Sequence, residues 1–222
     1  MQTLRGLLLD LDGTFLDSND AHAMSWVDAF AEANLELDVE KVRRRIGMGG
    51  DKLMEDLVGM KDDSPEGEKI SARRAVIFKD RYLEQLRPFR GGRELLERAL
   101  SEGLKLVMAT SATGPELESL LRAAQIEDLI KEAATSSDAK NSKPDPDIIL
   151  AAIAKSGFRP GELLMLGDTP YDVIAAKKAG VGTIAVRSGG WNDEELAGAI
   201  AIYDHVHALY KGYDESLLAH RA

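Results

Sequence analysis

The sequence contains no cysteine. Disulfide bonds, thiolate zinc sites and cysteine nucleophiles are therefore excluded. No apolar run approaches the length of a membrane-spanning helix, and the first residues show neither a basic leader with an apolar stretch nor a cleavage pattern. We therefore expect a cytoplasmic protein that begins at Met1.

Positive charge is also scarce. The chain has 28 Lys and Arg against 38 Asp and Glu, so its formal net charge is −10. Because such a field repels nucleic-acid backbones and anionic membrane surfaces, we expect neither as a partner. A substrate that carries phosphate must then be attracted by a local cation.

Length and composition are ordinary for a soluble globular protein. The chain has 222 residues, of which 44% are apolar and 30% are charged. These values allow a sizeable core in one large domain or two modest ones, and they exclude a disordered or fibrous class.

The first strong pattern is an apolar run that ends in two aspartates. The run begins at Leu7 and reaches Asp10 and Asp12, which are followed by a Gly-Thr turn. Residues i and i+2 of an extended segment point to the same side, so both carboxylates can project toward one point. Two like charges held that close require a cation or a shared proton, and Mg²⁺ is the natural counter-ion for oxygen ligands. A surface Asp-x-Asp-Gly turn is the alternative interpretation.

The segment 17–86 shows helical patterns and no convincing strand. Asp17–Asp20 supplies capping residues for a first helix, and Ser64 with Pro65 is typical of another helix start. The predicted helices run from these capping residues to about Ala33 and over about 39–45, 51–58 and 65–86.

From Gly92 onward, helix and strand alternate. Thr113 and Glu116 predict a capping box at the start of one helix. Such βα repeats predict a parallel sheet with helices on both faces, and ligands bind beyond the carboxyl ends of its strands. The predicted helices are 93–102, 113–124, 145–156, 170–179 and 192–199, and the predicted strands are 104–109, 129–134, 162–166, 182–186 and 200–203.

Further polar residues stand where predicted strands end or helices begin. Thr110 and Ser111 follow one strand, Lys143 precedes a helix, and Asp168 and Asp172 follow a late strand. Hydroxyls can bind phosphoryl oxygens, and an ammonium can offset the charge of phosphate and carboxylate. Taken singly, these residues are also compatible with helix caps, a solvated lysine and an acid pair at a helix N-terminus.

The order and spacing of these motifs resemble the haloacid dehalogenase-like hydrolases, and most closely the subgroup of phosphoglycolate phosphatases and β-phosphoglucomutases. The resemblance covers nearly the whole chain. It implies a Rossmann-like α/β core over 1–16 and 87–222, with a small all-helical cap, 17–86, inserted after the first strand. The matching motifs are Asp10-Leu-Asp12-Gly13-Thr14, Thr110-Ser111, Lys143 and Gly167-Asp168-Thr169-Pro170-Tyr171-Asp172.

The resemblance also implies a reaction. Asp10 attacks phosphorus and forms an aspartyl-phosphate, while Asp12 protonates the leaving oxygen and later deprotonates water. Mg²⁺ is held by the carboxylate of Asp10, the backbone carbonyl of Asp12 and Asp168. The presence of Asp12 argues against dehalogenation.

The other motif residues are expected to serve the phosphate group. Thr110, Ser111 and Lys143 bind it, and Asp172 holds Lys143 or a metal-bound water. In the cap, His22 and Arg45 are candidate substrate contacts, although a packing histidine and a glycine-rich hinge beside Arg45 are alternatives. Lys79 belongs more simply to a solvated helix face.

The leading hypothesis is a Mg²⁺-dependent phosphatase of small phosphomonoesters, such as sugar phosphates or phosphoglycolate. A phosphosugar mutase would use the same nucleophile, and a non-catalytic binding module is the hypothesis from another class. We expect a small phosphorylated metabolite as partner and a monomer or weak homodimer.

Overall fold

The computed structural model describes residues 3–219. Six of its strands form one sheet in the order β5-β4-β1-β6-β7-β8, and all neighbours are parallel. The fold class is therefore α/β with a parallel sheet, as predicted. In chain order the strands are β1 (Gly6–Leu9), β2 (Leu16–Asp17), β3 (Arg87–Pro88), β4 (Lys105–Ala109), β5 (Glu132–Ala134), β6 (Leu163–Gly167), β7 (Gly182–Val186) and β8 (Ala201–Tyr203).

Helices cover both faces of the sheet. Leu7 and Leu9 of β1 pack in one hydrophobic cluster with α5 (Gly92–Ser101), α6 (Gly114–Ala123) and α9 (Val206–Lys211), whereas Leu8 packs in another with α7 (Asp147–Ser156) and α8 (Pro170–Lys178). This division follows from the alternation of side chains along a strand. Among residues 3–219, no helix is both long and apolar enough to span a membrane. The helices are α1 (Asn19–Glu32), α2 (Val39–Arg43), α3 (Gly50–Val58), α4 (Pro65–Ile77), α5 (Gly92–Ser101), α6 (Gly114–Ala123), α7 (Asp147–Ser156), α8 (Pro170–Lys178) and α9 (Val206–Lys211).

Helices α1 to α4 lie between β2 and β3, and we call residues 17–86 the insert. β2 pairs with β3 in antiparallel fashion, so the chain enters and leaves the insert at one place. The insert has a hydrophobic cluster of its own, which contains Trp26, Phe30 and Leu53. It is thus packed internally as well as against the sheet.

Two local details of the insert differ from the prediction. The helix predicted over 65–86 is α-helical only to Ile77, and continues as a π-helical turn, Phe78–Tyr82, and a 3₁₀ turn, Leu83–Gln85. Ser64 does cap α4, because its side chain accepts from the backbone N–H of Gly67. The two-residue strands β2 and β3 and the short helix α9 were not predicted.

The helix predicted over 192–199 is wrong. Asn192 and Glu195 exchange side-chain to backbone hydrogen bonds of 3.0 Å, which close a single turn. Gly198 then has φ +107°, a value outside the helical region. No helix continues after that turn, and Leu196 packs in a small cluster with Trp191.

The predicted capping box at α6 is also wrong. Thr113 stands at the N-cap position without a side-chain hydrogen bond to the helix. Glu116 turns away from the backbone and forms an ion pair with Arg74 of the insert, at 2.7 Å. A contact between distant segments has replaced the local one.

Candidate active site

Three strands deliver polar residues to one edge of the sheet. Asp10, Thr110 and Asp168 directly follow β1, β4 and β6, which are adjacent in the sheet. The backbone N–H of Asp10 donates to the carbonyl of Leu166 at 2.9 Å, which fixes it beside the end of β6. The carboxyl ends of these strands therefore form one site, as expected for a parallel sheet.

Lys143 lies between two carboxylates. Its Nζ is 2.6 Å from Oδ1 of Asp10 and 2.7 Å from Oδ1 of Asp172, and its side chain is 1% exposed. The backbone N–H and hydroxyl of Thr169 donate to the other oxygen of Asp172, at 3.1 and 2.7 Å. Burial acts to lower the pKa of Lys143, but the two carboxylates outweigh it and raise that pKa above its ordinary value. Lys143 is therefore a stable buried cation.

Asp168 is fully buried and surrounded by neutral donors. Nδ2 of Asn19 donates to Oδ2 at 2.9 Å, and the hydroxyl of Thr14 donates to Oδ1 at 3.2 Å. Two glycines leave the space that this carboxylate needs, since a Cβ on Gly13 or Gly189 would lie 2.1 or 2.0 Å from Oδ2. Gly13 also has φ +75°, which favours glycine. Burial, and then a neighbouring carboxylate, raises the pKa of Asp168 to about 7.

Asp10, Asp168 and Asp172 form a group whose ligand oxygens lie within 4.8 Å of one another. Burial raises the pKa of Asp10 well above its usual range; Lys143 opposes that shift, while the two other carboxylates add to it. One lysine faces three carboxylates, so the site can accept a further cation in place of the protons that these raised pKa values favour. Oδ1 of Asn19 is also buried without a hydrogen-bond partner among residues 3–219. An all-oxygen, negatively charged site of this kind fits Mg²⁺.

The side chain of Asp12 lies apart from that group and is held by the insert. Its Oδ1 accepts from the hydroxyl of Ser18 at 2.5 Å and lies 2.8 Å from Nε2 of His22. The guanidinium of Arg74 contacts Nδ1 of His22, and Phe78 stacks on the imidazole ring with centroids 4.3 Å apart. Burial acts to raise the pKa of Asp12, but His22, Ser18 and Arg74 outweigh it and lower that pKa.

The loop after β4 supplies hydroxyls. Oγ1 of Thr110 accepts from the backbone N–H of Ala112 at 3.1 Å, which leaves its own hydrogen free to donate. Oγ of Ser111 is buried and has no hydrogen-bond partner within the described chain. Two donors thus remain for a ligand.

Two adjoining chambers lie between the insert and the ends of the strands. The inner chamber has a volume of ≈ 90 Å³, and the outer chamber has a volume of ≈ 580 Å³. Trp26, Arg74, Ser111 and Glu116 line both, so the two spaces share a wall. The inner chamber is lined by Asp10, Asp12, His22, Thr110 and a glycine-containing loop, 46–50.

The two substrate contacts predicted in the insert have different positions. His22 lines the inner chamber, where it contacts Asp12. Arg45 lines neither chamber, so its role as a substrate contact stays a prediction. Its Nε forms an ion pair with Asp56 at 2.6 Å, and its Nη1 donates to the carbonyl of Lys41. The glycine loop that follows Arg45 reaches the chamber instead.

Sequence reasoning missed several residues of this site. Ser18 and Asn19 were interpreted only as helix-capping residues, although polar side chains so soon after the acidic motif are a usable signal. Arg74 and Glu116 gave no such signal, because an arginine and a glutamate on helices are common at any surface. Their pairing depends on how the insert rests on the sheet.

Comparisons with known proteins identify a family of hydrolases. The family model for haloacid dehalogenase-like hydrolases matches residues 7–186. The N-acetylmuramic acid 6-phosphate phosphatase of Pseudomonas aeruginosa is 29% identical over 96% of both chains. The phosphoglycolate phosphatase of Escherichia coli (strain K12) is 30% identical over 85% of this chain and 83% of its own.

Among solved structures, a putative β-phosphoglucomutase from Bacteroides vulgatus superposes with a TM-score of 0.84. It is 26% identical, and the match covers 96% of this chain and 88% of that one. The shared fold includes the insert as well as the sheet, because so little of either chain is left outside the match.

Proposed function

Since the chain belongs to the haloacid dehalogenase-like hydrolases, we propose that it is a Mg²⁺-dependent phosphatase of small phosphomonoesters that uses Asp10 as its nucleophile. The observation that carries this proposal is the buried Lys143, which joins Asp10 to Asp172 near a third carboxylate, and Asp10 lines the inner chamber. The relatives named as phosphatases support the same reaction class.

In this proposal Mg²⁺ is held by the carboxylates of Asp10 and Asp168 and by the backbone carbonyl of Asp12. The ion would shield the negative charge of the phosphoryl group from that of the nucleophile. Asp172 does not need to bind it directly, because Asp172 already pairs with Lys143 and accepts from Thr169. Its task is to hold the lysine in place.

The first half of the reaction transfers the phosphoryl group to the protein. A carboxylate oxygen of Asp10 forms a bond to phosphorus, and the bond from phosphorus to the ester oxygen breaks. The departing oxygen takes a proton from Asp12. Lys143 neutralises charge on Asp10, and the hydroxyls of Thr110 and Ser111 donate to phosphoryl oxygens.

The second half regenerates the enzyme. Asp12, now ionised, takes a proton from water as the water oxygen bonds to phosphorus, and the bond between phosphorus and Asp10 breaks. The contacts of Ser18 and His22 with Asp12 favour this ionised form. The proton that Asp12 donates in the first half is thus recovered in the second.

The insert is proposed to act as a cap over these steps, with boundaries at 17 and 86. Its separate hydrophobic cluster and the β2–β3 pair at its base support this division from the core, 1–16 and 87–222. Because both chambers have one wall from the insert, movement of the insert would change access to Asp10.

A phosphosugar mutase is the second candidate. The likeness to a putative β-phosphoglucomutase favours it, and the same Asp10 and Asp12 would serve. A mutase returns the phosphoryl group to the sugar, so it would convert a sugar 1-phosphate to a 6-phosphate without releasing phosphate.

The test is phosphate release from a panel of phosphomonoesters, with Mg²⁺ and with a chelator. We expect release that requires the metal and is lost in Asp10→Asn, with a phosphoryl label on Asp10 after rapid acid quenching of the native protein. Asp17→Asn is the matched control, because Asp17 is exposed at the base of the insert. Release that persists in Asp10→Asn would contradict the proposal, and a 6-phosphate product without release would favour the mutase.

A further inference from the structure

Asp168 is held partly by the insert. The carboxylate is fully buried, and Nδ2 of Asn19, the first residue of α1, donates to its Oδ2 at 2.9 Å. A proposed metal ligand of the core is thus oriented by a side chain of the insert. A second contact from the insert reaches the same carboxylate through the turn that follows β7.

The turn after β7, Arg187–Gly189, lies directly against Asp168. A Cβ on Gly189 would be 2.0 Å from Oδ2 of Asp168, so the backbone of the turn is in contact with the carboxylate. The hydroxyl of Ser188 donates to the carbonyl of Gly13 at 2.6 Å, and Gly13 also adjoins that oxygen. A small shift of this turn would therefore change the position that Asp168 can adopt.

Arg43 of the insert holds the turn after β7 in place. Its Nη2 donates to the carbonyl of Gly189 at 2.9 Å, and its Nε donates to Oδ1 of Asp20 at 2.6 Å. The donors of a guanidinium are fixed in one plane, so these two contacts together define its orientation. Asp20 follows Asn19 in α1, so both routes from the insert to Asp168 begin at the same helix end.

The next residue, Arg44, also joins the insert to the core, but at other partners. Its Nη2 forms an ion pair with Glu195 at 2.9 Å, and its guanidinium lies 4.4 Å from the centroid of a ring of Trp191. Contacts of this kind are sufficient to dock the insert on the core. The contact between Arg43 and the turn beside Asp168 therefore adds something that docking alone does not require.

From these contacts we infer that Arg43 is a positioning residue of the proposed Mg²⁺ site, which acts through Gly189 to keep Asp168 in the orientation that binds the ion. Groups that orient a metal ligand change the affinity for the metal when they are removed. The inference rests on the metal site of the proposed function and adds a residue of the insert to it.

Mg²⁺ affinity, measured by calorimetry on folded, metal-free protein, tests this role. We expect Arg43→Gln to lower it by about threefold to tenfold, less than the loss of a group that touches the ligand, because Arg43 acts through a backbone carbonyl. Arg44→Gln is the matched control and should leave the affinity unchanged. Native affinity in Arg43→Gln would overturn the inference. An equal loss in both variants would also overturn it, because affinity would then follow docking of the insert in general.

Amide hydrogen exchange of the native protein gives a second test that needs no substitution. If Arg43 links the metal site to the insert, Mg²⁺ and this contact must stabilise each other by the same factor. We expect Mg²⁺ to slow exchange in α2, which contains Arg43, and in the turn after β7, with α5 of the core as the unchanged reference. Exchange in α2 that does not respond to Mg²⁺ would overturn the inference.

Failure of this inference can be distinguished from failure of the proposed function. Mg²⁺ binding that depends on Asp168 but not on Arg43 would overturn the inference and leave the proposed phosphatase intact. Absence of Mg²⁺ binding by the native protein would overturn the proposed metal dependence and this inference together. Both measurements report binding of the ion, so neither depends on the choice of phosphate ester.

Discussion

Asp10 and Asp12 lie two residues apart but have opposite surroundings. Asp10 faces Lys143, Asp168 and Asp172 at the ends of the central strands, and burial raises its pKa. The side chain of Asp12 faces Ser18 and His22 of the insert, and contacts from the insert lower its pKa.

The comparison separates two tasks within one short loop. The sheet edge concentrates negative charge around one lysine, which suits a metal ion and a nucleophile. Contacts from the insert lower the pKa of Asp12, so the acid–base chemistry that we propose for Asp12 would depend on how the insert is placed.

Replacing Lys143 by methionine should have the largest effect, on the acidic group at the end of the sheet. The change leaves three buried carboxylates without their cation, so we expect the free energy of unfolding to fall by about 3 to 5 kcal/mol and activity to be lost. Chemical denaturation measures the stability. Lys155→Met, at a partly exposed pair with Asp138, should cost less than about 1 kcal/mol. Equal costs for the two variants would show that the buried lysine is not required.

Substitutions of Asp168 and Asp12 should separate metal binding from acid–base chemistry. Asp168→Asn removes a proposed ligand, so Mg²⁺ affinity measured by calorimetry should fall at least about tenfold. Asp12→Asn should alter that affinity less than about twofold, because its side chain faces Ser18 and His22 rather than the acidic group. A similar loss of Mg²⁺ affinity in both variants would mean that the surroundings of Asp168 and Asp12 are not functionally separate.

Mg²⁺ binding should become tighter as pH rises. Without metal, Asp168 has a pKa of about 7, against an ordinary value of 3.8, and is largely protonated at about pH 6. The folded protein then binds more protons than the unfolded chain, so metal-free stability should decrease from about pH 4 to about pH 7.

Mg²⁺ must displace that proton, so its affinity should rise about tenfold between about pH 6 and about pH 8. The melting temperature with and without Mg²⁺ at each pH measures this. A Mg²⁺-induced shift that is the same at both values would contradict a raised pKa for Asp168.

The smallest effect is expected from His22→Asn. Loss of the imidazole should raise the pKa of Asp12, since His22 is among the groups that lower it. A general acid must be protonated to act, so the alkaline limb of the pH dependence of kcat/KM should move to higher pH. An unchanged limb would indicate that His22 packs against Phe78 without influencing Asp12.

The fold could be predicted from the sequence where local patterns agree with the final packing. The alternation after Gly92 predicted a parallel sheet, and the bounds of β7 match the prediction, because its apolar run is short and ends clearly. The helix predicted over 192–199 failed since Gly198 adopts φ +107° and ends it. The capping box at Thr113 failed because Glu116 has a better partner in Arg74.

The residues of the site likewise divide into those that local sequence patterns place and those that only tertiary packing places. The spacing of Asp10 and Asp12 and the placement of Thr110 and Asp168 after strands are local, so the sequence alone brings these residues to one edge. The ion pair between Arg74 and Glu116 joins residues 42 positions apart, so no local sequence pattern predicts it. The ion pair of Arg45 with Asp56 is likewise a tertiary contact that the sequence did not indicate.

The sequence by itself determined the α/β core, the positions of the strand-end acids and the family to which they point. These features depend on side-chain alternation and on residues within a few positions of each other. Only the tertiary structure decided that Asp12 turns toward His22, that Asn19 supports Asp168, and that an outer chamber adjoins the site. These features depend on how the insert packs on the sheet, through contacts between side chains that are distant in the chain.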